Sequence, residues 1–365
     1  MTKTIRDPIY GDIELGELEL KVLDASEMQR LRRIRQLSFC SLVYPGANQT
    51  RFEHSIGTMY LSGKIARRLG FDEELTQSIR LAGLLHDVGH LPFSHSLERV
   101  FGMDHEKNAR TVLNGQMGDI LEDGGFKRRE IYDLICGKGY GKIVSSQIDA
   151  DRMDYLVRDS HYTGVAYGAI DTDRIISVMG IEKERLFFQK KGIVALEALL
   201  IARNQMFEAV YLHHTVRVAE AMLEEAMRPL DGITSEELLW MGDEDLKMRA
   251  KQDNKVSKGL LDMLDRRRLY KICCSWAGKS YKKGTREKVI HELGIKPHQL
   301  LIYETILPKK LTFEILVKEG ERLDTISKIS SIAKDLEGNI RRLEETEACA
   351  PPEFKDKARM LFERV

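Results

Sequence analysis

Ten consecutive residues, His86-Asp87-Val88-Gly89-His90-Leu91-Pro92-Phe93-Ser94-His95, carry three imidazoles and a carboxylate directly behind the apolar run Leu81-Ala82-Gly83-Leu84-Leu85. Histidine and aspartate are costly to bury unless paired, hydrogen-bonded or bound to a metal. Imidazole nitrogen and carboxylate oxygen together suit first-row divalent ions. The stretch therefore reads as half of a metal site. The other half must be imidazole or carboxylate on other helices, and His54 upstream and Asp151 downstream qualify, with Asp149 and Asp154 as rivals. Four such ligands leave coordination positions for water and a substrate oxygen such as that of a phosphate. His90, His95 and His105 are then available to donate to phosphate oxygens or to move a proton to a leaving oxygen. Glu98 and Glu106 can orient those rings and raise their basicity. Arg51, Arg152 and Arg203 offer guanidinium forks matched to a polyphosphate.

These residues need helices to position them. Residues 3–15 read as a short hairpin, with β-branched residues around a Pro/Tyr/Gly/Asp turn. Residues 24–37 read as one helix, capped by Asp24 or Ser26, with Leu31, Ile34 and Leu37 as its apolar stripe. Its other face carries Gln29, Arg30, Arg32, Arg33 and Arg35, first read as a solvated basic stripe and alternatively as an anion site. A loop at Val43-Tyr-Pro-Gly leads to a helix from Arg51 to near Gly70, and Asp72 caps the helix that runs into His86. Residues 104–136 suggest two helices divided at Asp123-Gly124-Gly125. A helix over 147–159 places Asp151, Tyr155 and Asp159 on one face. A strand at 185–189 precedes one long helix from about Ile193 to Met227. Past Pro229 the character changes: charged helices over 236–239 and 258–274, strands over 300–307 and 311–317, then an amphipathic helix that Pro351-Pro352 breaks. A domain boundary falls near residue 230, dividing a catalytic core (1–230) from a smaller α+β lobe (231–365), itself an expected oligomer interface. The fold class is mainly α.

The 365 residues suffice for a large core, and Lys+Arg and Asp+Glu both number 57. A balanced total offers no broad nucleic-acid or membrane footprint. Five cysteines without CxxC spacing exclude a disulfide framework and fit a reducing compartment. With no signal peptide and no apolar run approaching a membrane span, the expectation is a soluble, cytoplasmic protein.

The order His54…His86-Asp87…Asp151 resembles the signature of the HD superfamily of metal-dependent phosphohydrolases. More specifically, the sequence resembles its dNTP triphosphohydrolase branch, including the vertebrate members that also carry a sterile-alpha-motif. The likeness rests on Asp7-Pro-Ile-Tyr-Gly, Gln29-Arg-Leu-Arg, Arg35-Gln-Leu, Tyr44-Pro-Gly-Ala, Arg51-Phe-Glu-His-Ser-Ile-Gly, the stretch from Ala82 to His95, Asp104-His-Glu and the run from Ile148 to Asp159. It covers residues 3–230 and thins out by about residue 275.

The resemblance implies hydrolysis of a dNTP to deoxynucleoside and triphosphate. Carried over by position, His54, His86, Asp87 and Asp151 hold a divalent metal (Mn, Fe, Zn, Ni or Mg). His90, His95 and His105 surround the α-phosphate, with Glu98 beside them and His95 as the proton-transfer residue. Arg51, Arg152 and Arg203 hold phosphates. Gln36, Leu37, Tyr155, Asp159 and Tyr211 line sugar and base, and Tyr211 excludes a ribose 2′-hydroxyl by leaving it unpaired. The family's activated members also read a guanine nucleotide at a subunit interface through positions matching Asp24, Gln29 and Arg32. Lys3, Val43, Arg174, His213, Arg267 and Lys271 match as well, which implies activation by GTP or dGTP in a homo-oligomer, a tetramer. Departures are the absence of a preceding sterile-alpha-motif domain, Arg152 for a lysine, Val178 for an aromatic and His214 for a lysine. The competing readings are another HD phosphohydrolase, acting on nucleoside monophosphates, cyclic nucleotides or alarmones, and a non-catalytic nucleotide sensor.

Overall fold

The computed structural model describes residues 2–277, 282, 284–305, 313–340 and 345–364. Strands β1 (Lys3–Asp7) and β2 (Gly11–Leu15) form the expected antiparallel hairpin, with Lys3 opposite Leu15 and Asp7 opposite Gly11. Asp7 makes the turn: its Oδ1 accepts from the amides of Ile9 at 2.8 Å and Tyr10 at 3.0 Å. Helices α1 (Glu17–Asp24) and α2 (Ser26–Arg30) follow, separated by extended Ala25. The single helix expected over 24–37 is therefore not formed, and neither Asp24 nor Ser26 caps it. A 3-10 turn, Leu31–Arg33, ends the helical path, because the next backbone groups find partners across a loop. Ile34 O accepts from Arg51 N, and Gln36 N donates to Gln49 O, both at 3.0 Å.

The central helices are α3 (Arg51–Arg68), α4 (Glu73–Leu85), α5 (His95–Phe101), α6 (His105–Leu113), α7 (Gln116–Asp123), α8 (Arg128–Ile135) and α9 (Ala150–Thr163). Side-chain caps start four of them, with Asp104 accepting from the amides of Glu106 and Lys107 for α6. Glu53 Oε2 accepts from Thr50 N at 3.0 Å for α3, Asp72 from Leu75 N at 2.8 Å for α4, and Asp149 from Arg152 N at 2.7 Å for α9. Helix α3 packs along both α4 and α9, so the three elements that carry the presumed metal ligands share one core. Residues 104–136 hold three helices rather than two, because Gly115 leaves the helical path between α6 and α7.

Helix α10 (Thr172–Val178) leads to β3 (Met179–Glu182) and β4 (Arg185–Gln189), then α11 (Ile193–Met206). The long helix expected from 193 to 227 is interrupted. A π-turn spans Phe207–Tyr211, and the chain restarts as α12 (His214–Met227) with His213 as its cap. Beyond it come α13 (Ser235–Leu238), α14 (Asp243–Asp253), α15 (Lys255–Asp265), β5 (Lys271–Ala277), α16 (Thr285–Leu293), β6 (Leu301–Glu304), β7 (Leu316–Glu319), β8 (Arg322–Thr325), α17 (Ile326–Ile329), α18 (Ser331–Ile340), β9 (Glu345–Ala350) and α19 (Lys355–Arg364). The helical reading of 258–274 thus ends at Asp265, and residues from Lys271 are strand. The proline pair does not break a terminal helix but separates β9 from α19. Residues 306–307 and 311–312 of the expected strands lie outside the described residues. The sheets run β3-β4-β7-β8 and β5-β9-β6.

The fold is mainly α, a helical core with short hairpins and a smaller α+β C-terminal lobe. The main buried cluster crosses residue 230 without a break, taking in Leu238, Leu246 and Leu261. A second, smaller cluster forms around Cys273, Val289, Ala348 and Phe362.

Candidate active site

His54 sits in the first turn of α3, His86 and Asp87 directly follow α4, and Asp151 lies in the first turn of α9. The packing of those helices brings the four side chains together. His54 Nε2 is 3.0 Å from Asp151 Oδ1, 3.2 Å from His86 Nε2 and 3.8 Å from Asp87 Oδ2. His86 Nε2 is 3.3 Å from Asp87 Oδ1 and 3.7 Å from Asp151 Oδ1. Donors held about 2.1 Å from one first-row ion lie about 3.0–3.4 Å apart. His54, His86 and Asp87 offer ligand atoms that all lie within 4.8 Å of one another and could hold such an ion, and Asp151 adjoins them through the two imidazoles. The imidazoles are also set for it. His54 Nδ1 donates to Asp154 Oδ2 at 2.7 Å, and His86 Nδ1 to Gly83 O at 2.8 Å, leaving both Nε2 atoms facing the centre. Burial opposes charge on His54, yet its hydrogen bonds to Asp151 and Asp154 outweigh burial and carry its pKa to about 10. The surrounding carboxylates therefore demand positive charge at this point, which a proton or a cation satisfies.

The three aspartates of α9 separate by role. Asp149 is spent as the helix cap and as the ion-pair partner of Arg152. Asp154 faces away from the ligand centre and orients His54 while accepting both arms of Arg158, at 2.9 Å each. Arg158, wholly buried, reaches on to Asp7 Oδ2 at 2.9 Å, tying the N-terminal hairpin to the site. Two glycines permit the approach. A Cβ on Gly57 would stand 1.9 Å from Asp154 Oδ1, and one on Gly89 would stand 2.1 Å from His105 O.

A second group lies beside the first. His90, His95 and His105 surround Glu98, whose oxygens are 2.7 Å from His105 Nδ1, 3.3 Å from His95 Nδ1 and 4.0 Å from His90 Nδ1. The His90 and His105 rings stack at 4.2 Å, and His95 meets both edge-on. Asp87 links the groups, its Oδ1 being 3.2 Å from His90 Nε2. Burial, then Arg51 and His105, push His90 well below the usual imidazole range and keep it neutral. His105 moves the other way: burial is outweighed by Glu98, which raises it. His95 is the exposed member, its side chain 61% accessible. Glu106 is exposed, and the rings are oriented by Glu98 at His95 and His105 and by Asp87 at His90.

Arg51 is committed rather than free. Its Nη1 is 2.5 Å from Asp87 Oδ2 and its Nε 2.6 Å from Ser94 Oγ. Arg152 and Arg203 each keep a buried Nε with no hydrogen-bond partner, and the Tyr155 hydroxyl lies in the field of both. Asp159 is fully spoken for: Tyr211 donates to its Oδ2 at 2.8 Å and Gln49 Nε2 to its Oδ1 at 2.9 Å. Tyr155 and Tyr211 meet edge-on at 6.2 Å. Gln36 and Gln49 both keep an unpartnered buried Oε1. Leu37 is half-buried on the same loop.

Reasoning from the sequence missed Gln49, which no spacing rule links to Asp159. It missed Arg158 too, although its i, i+4 relation to Asp154 was readable. It also misread Arg30: far from a solvated stripe, this side chain is 2% exposed and donates to the carbonyls of Val88 and His90 at 2.9 and 2.8 Å.

The positions expected from the sequence to read an activating nucleotide fall into separate local groups. Gln29 Nε2 donates to Leu23 O at 2.8 Å and Gln29 Oε1 accepts from Arg32 Nε at 2.9 Å, while the Arg32 guanidinium covers the Phe52 ring at 3.6 Å. Arg267 donates to Leu42 O beside Val43, and Tyr44 meets the His213 ring at 6.2 Å. Arg174 donates to Lys191 O at 2.9 Å, and Lys3, Asp24 and Lys271 stand exposed.

A family model for the HD domain matches residues 51–159, and one for an HD-associated region matches residues 170–365. An uncharacterized protein of Methanocaldococcus jannaschii is 38% identical over 376 residues, covering 96% of this chain and 80% of that protein. A Dictyostelium discoideum protein named as a homologue of the deoxynucleoside triphosphate triphosphohydrolase SAMHD1 is 32% identical over 260 residues, 63% of this chain. The match spans only 50% of that protein's length. Among solved structures, a phosphohydrolase from Bacteroides thetaiotaomicron superposes with a TM-score of 0.80 at 26% identity, covering 96% of this chain and 99% of that one. The HD-domain match contains all four candidate ligands and the HD-associated match takes up the rest of the chain, and the chain belongs to the HD-domain phosphohydrolase family.

Proposed function

We propose that the protein is a metal-dependent dNTP triphosphohydrolase, converting dNTP and water to deoxynucleoside and triphosphate. The observation that carries this reading is the set of buried polar atoms left without partners. Such atoms are costly unless a ligand satisfies them, and those among them that belong to the candidate site are Arg152 Nε and Arg203 Nε, His90 Nδ1, and the amide oxygens of Gln36 and Gln49, others lying elsewhere in the chain, such as Arg217 and Tyr303. Cationic donors for a phosphate chain thus accompany neutral acceptors for a nucleoside. The SAMHD1-like relatives support the same substrate class.

His54, His86, Asp87 and Asp151 would hold the metal, and a divalent cation there supplies charge that polarises a phosphoryl oxygen and acidifies water. The chain's own residues do the rest. Arg152 and Arg203 hold the phosphate tail, and His105, held at Nδ1 by Glu98, donates from its other nitrogen to the α-phosphate, while neutral His90 gives its proton to Asp87 and keeps Nδ1 as an acceptor. His95, oriented through Nδ1 by Glu98, protonates the 5′-oxygen as its bond to phosphorus breaks. The Tyr211–Asp159–Gln49 chain and Tyr155 form the floor under the sugar. There a ribose 2′-hydroxyl meets Tyr211, whose own hydroxyl is already given to Asp159.

In this reading the exposed Gln29–Arg32 pair and the group around Val43, Arg267 and His213 bind GTP or dGTP between subunits and activate a homotetramer. Incubating the protein with each dNTP, singly and mixed, with Mn²⁺ or Mg²⁺ tests both halves. Triphosphate and deoxynucleoside are the expected products, with activity on one dNTP rising when GTP or dGTP is added. Release of phosphate or pyrophosphate instead overturns the reaction, and rates indifferent to guanine nucleotides overturn the activation.

A further inference from the structure

We propose that Asp243, in the HD-associated region, is a positioning residue that sets His95 for proton transfer; the proposal rests on the reaction just described. Between Asp87 and α5 the chain passes through Phe93 at φ 57° and Ser94 at φ 53°, two consecutive non-glycine residues on the positive side. Side chains avoid that region, and such a pair persists only where its surroundings over-determine it. Here the surroundings are specific. The Phe93 amide donates to Asp243 Oδ1 at 2.8 Å, the Ser94 hydroxyl accepts from Arg51, and the Phe93 ring stacks on Phe39 at 5.5 Å. Asp243 is 5% exposed, and its second oxygen accepts from the Arg35 amide at 3.0 Å. Arg30 completes the clamp from the other side. It holds the carbonyls of Val88 and His90 and donates to Met241 O, two residues before Asp243, at 3.2 Å.

His95 is the first residue of α5, so the two strained residues fix the direction in which that helix departs. Relaxing either to a negative φ swings His95 and Glu98 away from His90 and His105. The ligands His54, His86, Asp87 and Asp151 take no hydrogen bond from Asp243. Loss of Asp243 should therefore disturb proton transfer and leave the metal in place. A purely structural carboxylate would not make that distinction.

The experiment is a double-mutant cycle in the full, metal-loaded chain, Asp243→Ala against His95→Ala, with kcat, KM, metal content and amide exchange at Phe93 measured. A displacement of about an ångström costs about 10- to 100-fold in rate. Asp243→Ala is thus expected to lower kcat by that factor with KM within about twofold, metal content unchanged and Phe93 exchange accelerated. It should add no further loss on the His95→Ala background. Asp243→Asn, which keeps one acceptor oxygen, should fall between, and it carries the same cycle if Asp243→Ala does not fold. An unchanged kcat, an equal loss on both backgrounds, or loss of the metal with the activity overturns the proposal. If the wild-type chain releases no triphosphate from any dNTP, the reaction itself is wrong. Phe93 exchange and the titration of His95 followed by NMR then decide the clamp, which fails if neither responds to Asp243→Asn.

Discussion

Asp159 shows how one buried carboxyl of the candidate site links stability to pH. Burial lifts its pKa to about 6, against the hydrogen bonds from Tyr211 and Gln49. An unfolded aspartate titrates near ~3.9, so between about pH 4 and 6 the folded chain holds a proton that the unfolded chain has released. Stability therefore falls as pH rises through that window, and above it the ionised carboxylate costs roughly 1–3 kcal/mol. Asp159→Asn removes the charge and keeps the shape. Thermal melts are expected to show a gain over wild type at pH 8 that shrinks toward pH 4. A gain equal at both ends would mean that this carboxyl does not titrate between them. The roles of Asp149, Asp151 and Asp154 could not be separated in the sequence, because all three sit in one polar run. Only the direction each takes from α9 distinguishes cap, ligand and orienting partner.

At the scale of elements, the site depends on how closely α3 and α9 approach. Gly57 permits it, because Asp154 and Arg158 occupy the space that any side chain there would take. Neither neighbour is free to move, since Arg158 is locked between Asp154 and Asp7. Gly57→Ala is expected to destabilise the fold by roughly 1–3 kcal/mol and to weaken metal binding about 10- to 100-fold through the tilt of His54. Denaturant midpoints and a metal titration measure the two effects; wild-type values in both would show that the helices separate at no cost. Element existence was largely legible. The capping residue Asp72 announced α4, and the spacing of Asp151, Tyr155 and Asp159 announced α9, which begins at Ala150 because Asp149, read as a rival ligand, is its cap. Continuity was not: the π-turn at Phe207–Tyr211 has no compositional mark, yet it places Tyr211 on Asp159. The helix that stops at Arg30 stops for partners that lie across a loop.

For the whole molecule, the proposed activation predicts a change of mass. Sedimentation velocity with metal present is expected to show assembly to a tetramer on adding GTP or dGTP, and Arg32→Ala, which leaves the ligand centre intact, is expected to abolish it. A mass unmoved by either nucleotide would separate the Gln29–Arg32 pair from regulation. Among the described residues no helix is long and apolar enough to cross a membrane. The core that crosses residue 230 makes the HD-associated region part of the catalytic unit, since Met241 and Asp243 brace the loop that carries His90 and His95.

By itself the sequence determined the chemistry available: which imidazoles and carboxylates exist, that they lie on helices, and the family to which their order belongs. Residue type and spacing carry that information because metal ligation and helix capping are properties of side chains and of neighbours along the chain. Tertiary structure alone decided that Asp154 orients His54 and Asp149 caps α9, that Gln49 meets Asp159, and that Arg30 and Asp243 hold the turn before α5. Those outcomes depend on contacts between residues far apart in the chain, where burial, rather than local preference, determines which polar groups must find each other.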